Sequence, residues 1–140
     1  VMKIEILLQT GMFLVAVITI VYTQYKDRRQ NKILMFSEYT RRYQEILINM
    51  PESIFNGTEH INAKARMYMR LYFDLCSEEY HLWRKGMIPN QIWEMWKEGM
   101  QITTNRPIYK MAWKDLSVEY NKDFWQYFNR EVINKKGGEL

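Results

Sequence analysis

The stretch ILLQTGMFLVAVITIVY, residues 6–22, is followed closely by the basic stretch KDRRQNK, residues 26–32. An uncharged apolar run of this length is typical of a membrane-spanning helix, and a basic flank is typical of the side that stays in the cytoplasm. The sequence therefore predicts a transmembrane anchor over residues 1–25, with the rest of the chain inside the cell. A cleaved signal peptide and a buried core helix are the two alternatives.

The basic flank is the main concentration of charge in the chain. Lys26, Arg28, Arg29 and Lys32 are opposed there only by Asp27, whereas the whole chain has a net charge of +4. Anionic lipids attract such residues by about 1 kcal/mol each, so we expect these four side chains to contact the membrane surface. The remaining charges are nearly balanced, which gives no electrostatic indication of a nucleic-acid partner.

Composition favours an all-α fold. The 140 residues include 47% hydrophobic residues but only three prolines and six glycines, which indicates long helices rather than many strands joined by turns. We expect the anchor helix to continue into one compact cytoplasmic bundle of about five helices over residues 26–134, followed by a frayed tail over residues 135–140. Cys76 is the single cysteine, so an intramolecular disulfide is excluded.

Helix boundaries can be placed from proline, glycine and capping residues. No glycine or proline occurs between Met12 and Met50, so the first helix should run unbroken until Pro51 stops it. Thr58 and Gly86 are candidates for the start and the stop of the next helix, and later helices should begin near Pro89, Pro107 and Asn121.

Apolar spacing predicts which side of each helix is buried. In the first helix, residues spaced three and four apart form a seam: Ile33, Phe36, Thr40, Tyr43, Leu47 and Met50. The helix before Gly86 carries two apolar rows: Met67, Leu71, Leu75 and Leu82 in one, and Met69, Phe73, Cys76, Tyr80 and Trp83 in the other. Two rows predict a helix at the centre of the core. The helix that begins at Pro107 should turn four residues inward: Ile108, Met111, Ala112 and Leu116.

Four short motifs resemble those of a known group. They are LCSEEY at 75–80, GMI at 86–88, Trp93-x-x-Trp96-x-x-Gly99-Met100 and Phe124-x-x-Tyr127-Phe128. Together with the N-terminal span, they resemble small bacterial single-pass membrane proteins of unknown function that have a cytoplasmic all-helical domain. The resemblance implies anchoring in the bacterial inner membrane, and it implies no catalytic residues.

Few residues could carry chemistry. Glu78-x-x-His81 has the spacing of a di-iron ligand pair, but His60, the other histidine, has Gly57 rather than a glutamate three residues before it. Cys76 lies on an apolar row, where a thiol behaves as a small hydrophobe. We therefore expect no enzyme activity, no metal and no cofactor; a metal-dependent enzyme acting through Glu78 and His81 is the weaker hypothesis.

Two features favour contacts with other proteins. Trp96 and Trp113 have charged neighbours, as is common at the rim of an interface, and are the candidate contact residues of the aromatic cluster. Small side chains recur every four residues along the span and would allow helices to approach closely: Gly11, Val15, Thr19 and Thr23. The sequence favours a membrane-anchored binding or scaffold module that self-associates or docks a membrane-associated protein. The alternative is an oligomeric effector that perturbs the bilayer when its cytoplasmic domain is triggered.

The predicted topology can be tested with a reporter enzyme that is active only outside the cytoplasm. Fused after Leu140, the reporter should be silent, because the basic flank of residues 26–32 holds the C-terminal part of the chain inside. Reporter activity in intact cells would show that this orientation is wrong.

Overall fold

A computed structural model describes residues 2–56 and 61–134, with side chains from Gly11 onward. The described residues form α-helices with no strand, as the composition predicts. The chain divides into two compact units, Val1–Met35 and Phe36–Leu140. The division lies further along the chain than the predicted anchor boundary at residue 25. The predicted tail, residues 135–140, lies outside the described residues.

The first helix, α1, covers Met2–Asn49 and ends before Pro51, as predicted. Across the described side chains, none of the helices combines the length and the apolar character that crossing a bilayer requires. The predicted span starts at Ile6, and residues 6–10 lie outside the described side chains. Beyond them, large apolar side chains from Met12 to Tyr22 are 40–74% exposed.

The unit Phe36–Leu140 contains the end of α1 and all later elements. They are α2 (Glu52–Phe55), α3 (Ala63–Arg84), α4 (Asn90–Thr104), α5 (Pro107–Leu116), a 3₁₀ turn (Ser117–Glu119) and α6 (Lys122–Phe128), which continues as a π-helical turn (Asn129–Ile133). The single-turn helix α2 is the element that the sequence analysis did not anticipate. Helices α4, α5 and α6 each contact α3.

Local chemistry explains where these helices begin and end. The Asn62 side chain accepts a hydrogen bond from the Ala65 amide at 2.8 Å, and Asn121 accepts one from the Phe124 amide at 2.9 Å, so both asparagines are N-caps. Asn121 was the predicted cap, whereas Thr58 lies outside the described residues. Gly86 has a φ of +72° and closes α3, since this left-handed conformation suits glycine.

Aromatic rings fill the core on one side of α3. Phe73 and Tyr80 are fully buried there, and the Phe73 ring packs edge-on against Phe128 with 6.0 Å between ring centroids. Such edge-to-face pairs stabilise a core beyond the burial of their area. The largest fully buried side chains are all aromatic: Trp93, Tyr80, Tyr109, Phe73, Phe124 and Phe128.

The two apolar rows of α3, which predicted a helix at the centre of the core, are buried to different extents. Met67 and Leu71 of the first row are 50% and 45% exposed, whereas Leu75 of the same row is 2% exposed. Met111 of α5 is also exposed, although its spacing predicted an inward position. The other three residues predicted inward on that helix are buried: Ile108, Ala112 and Leu116. The row that includes Met69, Phe73, Cys76 and Tyr80 is buried as expected.

Leu71 and Leu75 lie one turn apart on α3 and differ in burial, which provides a matched test of the core. Leu75 is 2% exposed, so Leu75→Ala should lower the free energy of unfolding by about 2–5 kcal/mol. Leu71→Ala makes the same chemical change at an exposed site and should cost less than about 1 kcal/mol. Urea unfolding of the full chain in detergent, followed by tryptophan fluorescence, measures both; equal losses would show that Leu75 is not a core residue.

Candidate functional site

A pocket with a volume of about 270 Å³ lies between the C-terminal part of α1, the middle of α3 and the middle of α4. All of its lining residues belong to the unit Phe36–Leu140. Helix α1 contributes Phe36, Tyr39, Thr40 and Tyr43. Their spacing of three, one and three residues places all four on one face of the helix, and three of them belong to the apolar seam predicted from the sequence.

Helix α3 forms the second wall with the same spacing. Tyr72, Leu75, Cys76 and Glu79 line the pocket, and each is less than 10% exposed. Three of these side chains are apolar or only weakly polar, so a carboxylate is the exception on this wall. The α1/α3/α4 pocket is thus a mostly apolar space with one acidic group in its lining.

Helix α4 completes the pocket with Met95, Trp96, Gly99 and Met100. The Trp96 ring stacks on Phe36 of α1, with 5.8 Å between centroids and an angle of 8° between the planes. Tyr39 also contacts Trp96, at a centroid distance of 6.2 Å. Apart from its neighbours in the chain and the backbone of α4, a Cβ atom added at Gly99 would meet no described atom within 4 Å.

Adjacent carboxylates on α3 have opposite surroundings. Glu78 is exposed and accepts hydrogen bonds from the Arg42 guanidinium at 2.6 Å and from the Tyr39 hydroxyl at 3.2 Å. The hydrogen bond from Arg42 lowers the pKa of Glu78. Glu79 points away from this pair, as expected for neighbouring residues on a helix, and is only 6% exposed.

Within the described part of the chain, the Glu79 carboxylate forms no hydrogen bond and no ion pair. Every fully buried side-chain nitrogen or oxygen atom in that part has a hydrogen-bond partner, so the Glu79 carboxylate is not completely closed off from solvent, and Glu79 lines the pocket. Burial raises the pKa of Glu79 to about 8, although attraction to Arg42 opposes the rise. Near neutral pH the Glu79 carboxyl group is therefore protonated in most molecules.

Cys76 and Tyr72 do not provide a nucleophile or a base in the pocket. Burial raises the pKa of the Cys76 thiol well above its ordinary value, and burial does the same to the Tyr72 hydroxyl. Both groups therefore stay protonated at neutral pH. This agrees with the interpretation of Cys76 as a small hydrophobe.

The Glu78-x-x-His81 pair does not form a metal site with other described residues. Glu78 is bound to Arg42 and Tyr39, whereas Nε2 of His81 lies 2.7 Å from Nδ2 of Asn121. Among the described side chains, no group of three or more histidine, cysteine or carboxylate residues could hold a metal ion. His60 lies outside the described residues.

The two tryptophans predicted as contact residues have different environments. Trp96 is half-buried and lines the pocket. Trp113 is 3% exposed, packs between Phe73 and Phe128, and donates a hydrogen bond from Nε1 to Asn129 at 3.0 Å. The prediction that Trp113 is a contact residue is therefore wrong. Its charged neighbours face solvent, whereas its own ring lies in the core.

The other predicted contact residues lie on α1 in the unit Val1–Met35. A Cβ atom added at Gly11 would meet nothing within 4 Å. The hydroxyls of Thr19 and Thr23 donate to the carbonyl oxygens four residues earlier, each at 2.8 Å. The predicted membrane-surface residues are all exposed: Lys26, Arg28, Arg29 and Lys32.

The chain matches no protein-family model, no curated protein and no solved structure. The resemblance to small bacterial single-pass proteins therefore stays a prediction. The pocket has to be interpreted from its own geometry.

Glu79 is the site residue that the sequence analysis missed. The signal was present, because Tyr72, Leu75, Cys76 and Glu79 share the spacing of one helix face, and an acid in such a row is unusual. Glu78 and Glu79 are adjacent on the helix, so their side chains diverge and do not form a catalytic dyad. The same divergence separates an exposed carboxylate from a buried one.

The raised pKa of Glu79 predicts a pH-dependent stability. The folded state holds this proton up to about pH 8, whereas the unfolded chain releases it near its ordinary pKa of 4.5. The free energy of unfolding should therefore fall as the pH rises through this window, by about 1.4 kcal/mol per pH unit.

Glu79→Gln removes this titration, so its stability advantage over the natural chain should grow from pH 5 to pH 8. Urea unfolding at several pH values measures the difference and cancels the titration of groups that both proteins share. Parallel stability curves for the two proteins would contradict the assignment.

Proposed function

We propose that this protein is a helical binding module, anchored to the inner bacterial membrane, that acts through contacts with a second copy or with another membrane-associated protein. The exposed apolar surface of α1 is the observation that carries the proposal. Large apolar side chains from Met12 to Tyr22 are 40–74% exposed. A helix that is apolar on all sides needs an apolar environment, and a bilayer or a partner helix provides one.

The polar residues in this part of α1 are compatible with a lipid environment. The Thr19 and Thr23 hydroxyls are satisfied by carbonyl groups of their own helix, so they need no water. The exposed basic residues from Lys26 to Lys32 follow the apolar segment, where they could contact anionic lipid head groups. These features support the anchor, its orientation and a localisation at the inner face of the membrane.

The row of small residues supports self-association through α1. Gly11, Val15, Thr19 and Thr23 lie along one side of the helix and would allow two backbones to approach. Among the described side chains, none comes within 4 Å of a Cβ atom added at Gly11, so a larger residue there should disturb contacts between copies rather than the fold of one copy. In the alternative, the assembled helices perturb the bilayer as a triggered effector; ion leakage on expression would favour it.

Self-association can be tested with two matched substitutions in α1. Gly11→Leu should shift the full chain in a maltoside detergent from an oligomer toward a monomer, because the added side chain separates the packed backbones. Val17→Leu enlarges a residue on the opposite side of the helix and should leave the oligomer intact. Light scattering after size-exclusion chromatography measures both molar masses.

Two results would contradict self-association through α1. One is a full-length natural chain that is monomeric under these conditions. The other is a fragment beginning at Lys32 that oligomerises as well as the full chain does. The second result would move the contact surface to the unit Phe36–Leu140.

A further inference from the structure

The α1/α3/α4 pocket joins three features that a packed helical core does not require. It has an open volume of about 270 Å³, its walls are mostly aromatic or thioether side chains, and one wall carries a nearly buried carboxylate. Cores normally pack without such voids, and a buried carboxylate normally has a cation or hydrogen-bond donors beside it. The described lining of the pocket includes no cationic side chain that pairs with Glu79.

We propose that the α1/α3/α4 pocket binds a small organic ammonium ion, held by the Glu79 carboxylate and by the faces of Trp96, Phe36 and the pocket tyrosines. Aromatic faces attract a desolvated cation through their negative electrostatic potential, and a carboxylate adds direct charge complementarity. The volume is slightly below the range of pockets that hold drug-sized ligands, so the occupant should be small.

The charged groups around Glu79 leave it available for this role. From α1, Arg42 is bound to Glu78 at 2.6 Å and lies 5.2 Å over the Tyr39 ring, so its guanidinium is held on the neighbouring carboxylate. From α3, Tyr72 and Cys76 stay neutral. From α4, the lining residues Met95, Trp96, Gly99 and Met100 are not titratable, and the neighbouring Lys97 is paired with Glu94.

Gly99 provides a second observation that favours a ligand site. A glycine inside a helix costs about 1 kcal/mol relative to alanine, and a Cβ atom at this position would meet nothing within 4 Å. The fold of the chain therefore does not require glycine here. Its absent side chain keeps the α4 wall of the pocket open.

Binding of a cation should release a proton. In the empty pocket the carboxyl group is protonated over most of the neutral range, because burial raises the pKa of Glu79 to about 8. A cation favours the ionised form, so the proton leaves to solvent as the ligand enters. Affinity should therefore rise by about tenfold per pH unit below pH 8, with about 0.9 protons released at pH 7.

The test compares choline with its neutral carbon isostere, 3,3-dimethylbutan-1-ol, on the full chain in a maltoside detergent, which contains no ammonium group. Choline should bind with one-to-one stoichiometry and at least about tenfold more tightly than the alcohol. Isothermal titration in two buffers of different ionisation enthalpy gives the proton release, and the intrinsic tryptophan fluorescence of the chain gives an independent binding curve. Equal affinity for the two probes, no choline binding, or affinity that does not change between pH 6 and pH 8 would overturn the proposal.

Two variants test the charge of Glu79 and the width of the pocket separately. Glu79→Gln should remove both the preference for choline and the proton release, while the weaker binding of the alcohol persists. Gly99→Leu keeps the carboxylate but narrows the pocket, so it should weaken both probes. Circular dichroism checks folding; if either variant is misfolded, the pH dependence and proton release of the natural chain still decide the outcome. Retention of choline preference in a folded Glu79→Gln variant would refute the role of Glu79.

The ammonium site rests on the proposed function in one respect, which is that the protein is a binding module. Its lining residues all lie in the unit Phe36–Leu140, so choline binding and self-association through α1 are separate measurements. A chain that binds choline as a monomer would contradict the self-association alone. An oligomer that does not bind choline would contradict the ammonium site alone.

Discussion

The packing of aromatic rings against one side of α3 is the constraint on which the unit Phe36–Leu140 depends. Tyr72, Phe73 and Tyr80 are buried along this side, and helices α4, α5 and α6 each contact α3. Tyr72 meets Phe73 and Tyr109 edge-on, with centroid distances of 5.4 and 5.2 Å. Rings of this size allow only a few arrangements, so the positions of the surrounding helices follow from how the rings meet.

The same aromatic packing accounts for the pocket and for the state of Glu79. Large, rigid rings from α1, α3 and α4 contact one another at their edges and faces, and the space between them is left open. Glu79 lies one turn beyond Cys76 on the buried side of α3, so it is desolvated together with the rings. Arg42 could have neutralised it but is bound to Glu78 instead. A buried carboxylate of this kind destabilises the empty fold, and a cationic ligand would offset that cost.

The two units differ in the exposure of their apolar side chains. In the unit Phe36–Leu140, apolar side chains fill a core and polar atoms that are fully buried have partners. In the first unit, apolar side chains from Met12 onward are exposed, while threonine hydroxyls bond to their own helix. The removal of apolar surface from water drives the first arrangement. Apolar surroundings would stabilise the second arrangement, which is the physical basis of the proposed anchor.

The sequence by itself determined the helical class and most helix boundaries, because these depend on local chemistry. Pro51, Gly86, Pro107 and Asn121 act through backbone conformation and nearby hydrogen bonds, which their immediate neighbours settle. Only the tertiary structure decided which side of each helix is covered. Leu71 and Leu75 look equivalent in sequence, yet one is exposed and the other buried, and Trp113 is buried despite its charged neighbours. The environment of Glu79 was likewise decided by rings and helices that are distant in sequence, since desolvation is a property of the assembled surroundings and not of the residue.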